Sequence, residues 1–514
     1  MSGKCISDRN NPLPDCCVNT GGFITDLKQK GDEYMKKILK AILIVTAVLA
    51  MLAMTACRGS DDNESTKPGG SGSFRVGFSR INILPEESVP LGGYGNTSTR
   101  MSDGALDYIY AQVIAITDEK DESVVLVFLD AVRAAVNIVN PIKESISNLT
   151  GIPVGNVYVS ASHSHSTPDT TNQEQESISR YNKTLTEWVT EAFNEAYADR
   201  KPATMYIGET DVDGLNFVRH YLLEDGTWAG DNFGHIGSSP VVRHESDADP
   251  TMRALCFKRE DADDIFIANW QCHPTFFGKA NIDVSGDFVA KFREISEKKL
   301  NGVKVVYAQG ASGNLNPRSN IVEETPTTDY KVYGDQLSEY AVQIYNNLTQ
   351  VETGDIHVVN FQYEGNCDHS EDDKVYLARP ILEYWHETNN YEKAVQMANE
   401  VGLNGPYHAN GIISKANRKK TERMNINAVV IGDINFITAP YEMFDITANY
   451  IRDNAGNKQT FVFGYSCGSM SYLPTMEAYD HGCYEKDVTI FERGTAEILG
   501  KKFVELIKEA ASGK

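Results

Sequence analysis

The chain reads as an α/β protein of mixed β-sheets with flanking helices, and three observations predict it. Short apolar runs rich in β-branched residues alternate with longer runs whose apolar residues recur at helical spacing. Several strand-like runs end in a turn carrying a His, a carboxylate or small residues, the position where α/β folds place ligands. No low-complexity linker interrupts the stretch from Phe74 to Lys514, so this stretch reads as a single large domain.

The elements follow in order. Ser123 to Leu129 is a buried strand ending at Asp130, and a helical stretch follows to about Leu149. Asn156 to Ser160 is short and β-branched, a strand that feeds His163-Ser164-His165. Residues 174–199 form a helix, with Tyr181, Leu185, Trp188, Val189, Ala192 and Ala196 on one face. Asp264 to Trp270 is a strand ending near His273. Phe288 to Leu300 is helical. Val303 to Tyr307 is a strand running into a small-residue turn from Gly310 to Pro317. Tyr330 to Leu348 is helical. Met424 to Val430 and Ile434 to Thr438 flank Gly432-Asp433 as a β-hairpin. Thr495 to Ala511 closes the chain as an amphipathic helix. There is no internal repeat.

The first 73 residues are read as targeting rather than fold. From Met35 come Lys36-Lys37, an apolar run from Ile38 to Met54 broken only by Lys40, then Thr55-Ala56-Cys57. That order matches a bacterial lipoprotein signal over 35–56, with lipid on the Cys57 thiol. A single-span anchor is disfavoured because the run is short for a membrane crossing. Residues 1–34 read as an upstream extension ahead of the true start, and 57–73 as a flexible polar tether. The expected location is the cell envelope, lipid-anchored on the outer-membrane surface or the periplasmic face. A net charge of -23 argues against nucleic acid as a partner. Besides Cys57 the mature chain keeps Cys256, Cys272, Cys367, Cys467 and Cys483. That odd number, with no regular spacing, predicts no disulfide framework.

His163 and His165 are the sharpest chemical signal. Residues two apart on an extended segment point to one side, so two imidazoles converge at a strand end. Alone, an H-x-H is more often polar loop than metal site. Four further segments sit at comparable places: a lone His273, which alone is more often structural; the Gly310–Pro317 turn; Pro440-Tyr441-Glu442, where the carboxylate otherwise serves a helix dipole; and the tyrosine-dense stretch holding Tyr472, Tyr479 and Tyr484.

In this order these segments resemble the neutral/alkaline ceramidases, zinc-dependent amidases. The resemblance runs from about Phe74 to the C-terminus. It opens on Val76-Gly77-Phe78-Ser79-Arg80-Ile81 and Leu91-Gly92-Gly93-Tyr94. The family's H-x-H-S-G-P is matched by His163 to Pro168 except at Thr167. The resemblance implies Zn²⁺ held by His163, His273, Glu442 and Tyr472. It implies His165 beside the metal as acid/base or oxyanion group, Tyr484 as a substrate-binding tyrosine twelve positions after Tyr472, and Arg219, in Asn216-Phe217-Val218-Arg219, as a substrate contact. Where the family carries a catalytic serine, Asn316 stands. An amide is no nucleophile but donates a hydrogen bond, so metal-activated water is the expected nucleophile. Arg318 adds a positive charge absent from the family pattern. The family's C-terminal β-sandwich is not expected, because the chain ends thirty residues after Tyr484.

The expected function is hydrolysis of the N-acyl amide of a ceramide-like lipid, with a lipid or glycoconjugate as substrate and the membrane reached through Cys57. Two other readings stay open: a zinc hydrolase acting on an acylated or amide-bearing glycan, and a surface lipoprotein that binds lipid or glycan without catalysis.

Overall fold

The computed structural model describes residues 73–95, 100–231, 239–317, 327–456 and 459–513. The upstream extension, the lipoprotein signal, the tether but for its last residue, Cys57 and Arg318 lie outside the described residues. Among those described, no helix is long and apolar enough to cross a membrane. The chain from Gly70 onward forms one compact unit.

A nine-stranded mixed sheet is the first layer. Its strands are β1 (Arg75–Asn82), β2 (Tyr110–Thr117), β3 (Ser123–Leu129), β4 (Val157–Ala161), β5 (Lys201–Asp211), β6 (Thr251–Arg259), β7 (Asp264–Trp270), β8 (Val303–Gln309) and β9 (Thr349–Val351). The order across it is β8-β7-β6-β5-β1-β2-β3-β4, with β9 on β5. The two edge pairs, β3–β4 and β7–β8, are parallel and the other pairs antiparallel. A second sheet holds β10 (Ile356–Asn366), β11 (Thr421–Ile431), β12 (Ile434–Thr438) and β13 (Gln459–Phe463), in that order. β11 and β12 form the expected hairpin, with Ile431 opposite Ile434.

Strand alternation decides the layering. In β3, Val124, Leu126 and Phe128 join a cluster with Val429, Ile431, Phe436, Phe461 and Phe463 of the second sheet. Val125, Val127 and Leu129 face the other way, onto α1 (Val136–Thr150) and α2 (Glu176–Ala198). In β7, Ile265 and Ile267 look at the second sheet, while Phe266, Ala268 and Trp270 pack on α3 (Asp287–Lys299) and α4 (Tyr330–Asn346). The second sheet's outer face, with Ile426, Ala428 and Val462, is covered by α8 (Asp445–Asn454) and α11 (Thr495–Ala511). Two sheets face one another between two helical layers. Strands buried on both faces need unbroken apolar runs, which is why these were legible.

Three helices that the sequence reading left unread lie between β10 and β11: α5 (Val375–Thr388), α6 (Tyr391–Glu400) and α7 (Pro406–Ala416). They pack on each other around Ala378, Ile381, Trp385 and Ile412 rather than on a sheet. The tyrosine-dense stretch carries two short helices, α9 (Met476–His481) and α10 (Tyr484–Val488). The five described cysteines are free and buried, Cys467 and Cys483 included.

Candidate metal centre and active site

The C-terminal ends of five strands point into one cavity of about 380 Å³. β4 leads to His163 and His165, β7 to His273, β8 to Asn316, β12 to Glu442 and β13 to Tyr465 and Tyr472. Every site residue expected from the sequence lines this cavity: His163, His165, Arg219, His273, Asn316, Glu442, Tyr472 and Tyr484.

His163 lies two residues past β4 and is not extended. Its φ of 65° places it in the left-handed region, which a residue with a Cβ enters at a cost of roughly 1 kcal/mol. Convergence with His165 therefore comes from a tight turn, not from strand alternation as the spacing implied. The surroundings hold the turn: the His163 amide donates to the Ala131 carbonyl, and its ring stacks on Tyr465 at 4.0 Å between centroids. Tyr465 and Cys467 are also left-handed, at φ 53° and 59°, so backbone strain gathers behind this histidine.

Two imidazoles are oriented alike. Nδ1 of His163 lies 2.7 Å from the Val132 carbonyl, and Nδ1 of His273 lies 3.0 Å from the Leu315 carbonyl. A carbonyl only accepts, so both Nδ1 atoms carry the proton and both Nε2 atoms offer a lone pair. Those Nε2 atoms sit 3.4 and 3.3 Å from the same Glu442 oxygen. His165 brings a third nitrogen, Nε2, to 3.1 Å from that of His163. Its Nδ1 is buried without a partner. Donor atoms about 2.0–2.1 Å from one tetrahedral ion stand about 3.3–3.4 Å apart, so the set fits Zn²⁺ in both chemistry and spacing.

The charges agree with that fit. Burial pushes the Glu442 carboxyl up, but the facing His163 and His273 outweigh it and hold it well below the usual range. Burial and the Arg219 cation lower His273 to about 4. Burial, His163 and His273 push His165 well down. Tyr472 pairs with Glu442 in a short parallel bridge and is buried. Burial and Glu442 raise its phenol well above the ordinary value. Tyr484 stands edge-on to Tyr472 at 5.6 Å.

Arg219 is buried, with its guanidinium 5.6 Å from the centre of the Tyr472 ring. Its Nε donates to Glu485 at 2.7 Å and its other nitrogens to the Gly313 carbonyl and to Oδ1 of Asn316. Asn316 in turn donates to Asp231 at 3.0 Å. Both ends of the amide are thus assigned, and one N–H is left over. Ser312 does not stand in for the missing serine: it is buried, takes a hydrogen bond from Gln309 and pairs with the Tyr465 hydroxyl.

Behind Arg219 runs a chain that sequence reading missed. Glu485 also bonds His220 at 2.7 Å, His220 bonds Glu245 at 2.7 Å, and Glu245 bonds His481 at 2.7 Å. The available signal was adjacency: Glu485 follows Tyr484, and His220 follows Arg219. Asp231, Tyr391, Tyr407 and Tyr465 carried no such signal.

Residues 74–318 match the family model described as neutral/alkaline non-lysosomal ceramidase, N-terminal. Among solved structures, neutral ceramidase from Pseudomonas aeruginosa is similar at 18% identity and a TM-score of 0.65, over 85% of this chain and 74% of that one. A structure titled "Ceramidase complexed with C2" is similar at 16% identity and a TM-score of 0.62, over 85% and 75%. At these identities the likeness is one of fold. A search of curated proteins finds no match. The matched segment holds His163, His165, Arg219, His273 and Asn316, while Glu442, Tyr472 and Tyr484 lie beyond it. By that match, residues 74–318 are similar to the N-terminal domain of the neutral/alkaline ceramidases.

Proposed function

We propose that the protein is a zinc-dependent hydrolase that cleaves an N-acyl amide bond of the ceramide type with water. One observation carries this reading: two Nε2 lone pairs, each oriented from behind by a carbonyl, and a carboxylate oxygen meet within 3.4 Å in the wall of a cavity. His163, His273, Glu442 and Tyr472 would hold the metal. When bound, zinc supplies a Lewis acid for the scissile carbonyl and lowers the pKa of a bound water toward about 7.

The side chains supply the rest. The Val132 and Leu315 carbonyls keep His163 and His273 in the ligating tautomer. His165, held close to neutral, receives a proton from the attacking water through a ring nitrogen and returns it to the departing amine. Arg219, the free N–H of Asn316 and the Tyr484 hydroxyl face the carbonyl oxygen as negative charge builds there. The water oxygen bonds the acyl carbon, the C–N bond breaks, and the amine leaves with the proton.

The test is metal content of the purified protein together with hydrolysis of a fluorescent short-chain ceramide. Stoichiometric zinc and turnover abolished by a chelator are expected; a protein that takes up no zinc sinks the reading. Asn316→Ser is expected to raise ceramide turnover at least about tenfold, some 1.4 kcal/mol of barrier, because it restores a hydroxyl beside Arg219. Unchanged turnover would remove position 316 as a determinant of the substrate.

The sequence over 35–57 supports a lipid anchor on Cys57, which places the hydrolase on an envelope membrane. Mass spectrometry of the N-terminal peptide is expected to find a diacylglyceryl-modified cysteine. An unmodified thiol there rules the anchor out.

A further inference from the structure

We infer that the amide cleaved here is carried on a polar, negatively charged scaffold, and that Arg133 receives that charge. This rests on the zinc-hydrolase reading and assigns that site a preferred substrate other than ceramide.

Arg133 follows Val132, the residue whose carbonyl orients His163. Its side chain lines the cavity and stands close enough to His165 to oppose protonation there. The two arginines of the wall differ sharply. Arg219 is neutralised by Glu485 and gives further hydrogen bonds to Gly313 and Asn316. Arg133 has no hydrogen bond or ion pair with any described residue. A half-buried guanidinium without a partner is costly, and its fork of N–H groups is shaped for a carboxylate or a phosphate.

A second cation repeats the pattern at the rim. Lys279, next to the wall residue Gly278, is exposed, lies 5.2 Å from the centre of the Tyr391 ring, and has no acidic partner among the described residues. The wall's own carboxylates do not neutralise these cations. Asp231 takes the Asn316 amide, and Glu442 faces the imidazoles. In a chain of net charge -23, a cavity with two uncommitted cations is a local reversal of sign that concentrates anions.

The rest of the wall fits a polar scaffold. Tyr94, Tyr391, Tyr407 and Tyr484 contribute rings that each end in a hydroxyl, and Tyr391 and Tyr407 come from the helices between β10 and β11. Such rings offer a flat face and a hydrogen bond together, which suits a sugar ring or a short amide better than a hydrocarbon chain. A long acyl chain gains about 0.8 kcal/mol per methylene only where it meets apolar surface. The described residues of this wall offer no aliphatic side chain beyond Thr275. The chemical class is therefore an N-acyl amide beside a carboxylate, found in N-acyl amino acids and in acidic N-acetylated saccharides.

The experiment uses the zinc-loaded protein and four probes: N-acetylglutamate, a disaccharide of N-acetylhexosamine with a uronic acid, neutral N-acetylhexosamine, and short-chain ceramide. At least one anionic probe is expected to exceed both uncharged ones in kcat/KM by about tenfold or more. Which anionic probe leads identifies the source. Arg133→Gln is expected to lower kcat/KM for the anionic probe, through KM, about 10–100-fold more than for the neutral sugar, the span of one charge-assisted hydrogen bond. Preference for the neutral sugar or for ceramide, or an equal loss on all probes, overturns the inference. Calorimetric binding of the same probes reads Arg133 without turnover: equal affinity of parent and variant for the anionic probes also overturns it. Preference for ceramide leaves the hydrolase reading standing, whereas absence of zinc defeats the hydrolase reading and the cleavage inference with it.

Discussion

His163→Ala is expected to abolish stoichiometric zinc binding and to reduce amide hydrolysis by at least about a thousandfold, roughly 4 kcal/mol of barrier. Three losses coincide at this one side chain. Its Nε2 is one of the two nitrogens that share the Glu442 oxygen. Its Nδ1–H bond to Val132 and its stack on Tyr465 hold the turn that places it. Without it, Glu442 loses one of the two imidazoles that its oxygen faces. Zinc is measured by emission spectroscopy after dialysis, and folding by near-ultraviolet circular dichroism. His163→Asn is the companion variant, because asparagine tolerates the left-handed backbone that alanine resists. Both variants are expected to fold and to lack zinc. A folded variant that retains one zinc per chain would refute the ligand assignment.

Glu485→Gln is expected to destabilise the protein by about 3–5 kcal/mol and to lower activity about a hundredfold. The carboxylate is fully buried and serves two buried cations at once, Arg219 and His220. Glutamine matches the shape and removes the charge, so Arg219 is left uncompensated in low dielectric and His220 keeps only Glu245. Arg219 then loses the anchor that aims it at the cavity. Urea unfolding reads the first effect and short-chain ceramide hydrolysis the second; a loss below about 1 kcal/mol would show the network to be incidental.

The same network makes stability depend on pH. Burial alone would lower His220, but Glu485 and Glu245 raise it from 6.5 to about 9. A raised base stabilises fully below its unfolded pKa, and the contribution is lost as pH rises through about 9. Burial would raise Glu245, but His220 and His481 bring it from 4.5 to about 2. A depressed acid stabilises above its unfolded pKa, and that part is lost as pH falls toward about 2. The network therefore contributes most between about pH 4.5 and 6.5, and Glu485→Gln is expected to flatten the alkaline limb.

Much of this molecule was legible from local pattern. The runs 123–129, 264–270 and 303–307 read as strands because each is buried on both faces and so is apolar throughout. Thr495 to Ala511 read as a helix because one face alone meets the second sheet. β5 and β10 were missed because their burial is partial and irregular, which leaves neither an apolar run nor a clean alternation. The helices at 375–416 were missed because they bury their faces against each other in a small cluster of their own. The residues proposed as ligands were legible because their segments, in order, resemble those of the neutral/alkaline ceramidases, and each stands near a strand end.

From sequence alone came the α/β class and the strand ends that carry chemistry, since residue type and periodicity are local properties, while the set His163, His165, His273, Glu442 and Tyr472 came from the resemblance of those segments to the neutral/alkaline ceramidases. Only the tertiary structure decided that His163 turns through a left-handed backbone, that Arg219 is neutralised by Glu485 while Arg133 is not, and that tyrosines from a separate helical cluster wall the cavity. Those are matters of which distant segments meet, and a charge acquires its meaning from the partner folding brings to it or withholds.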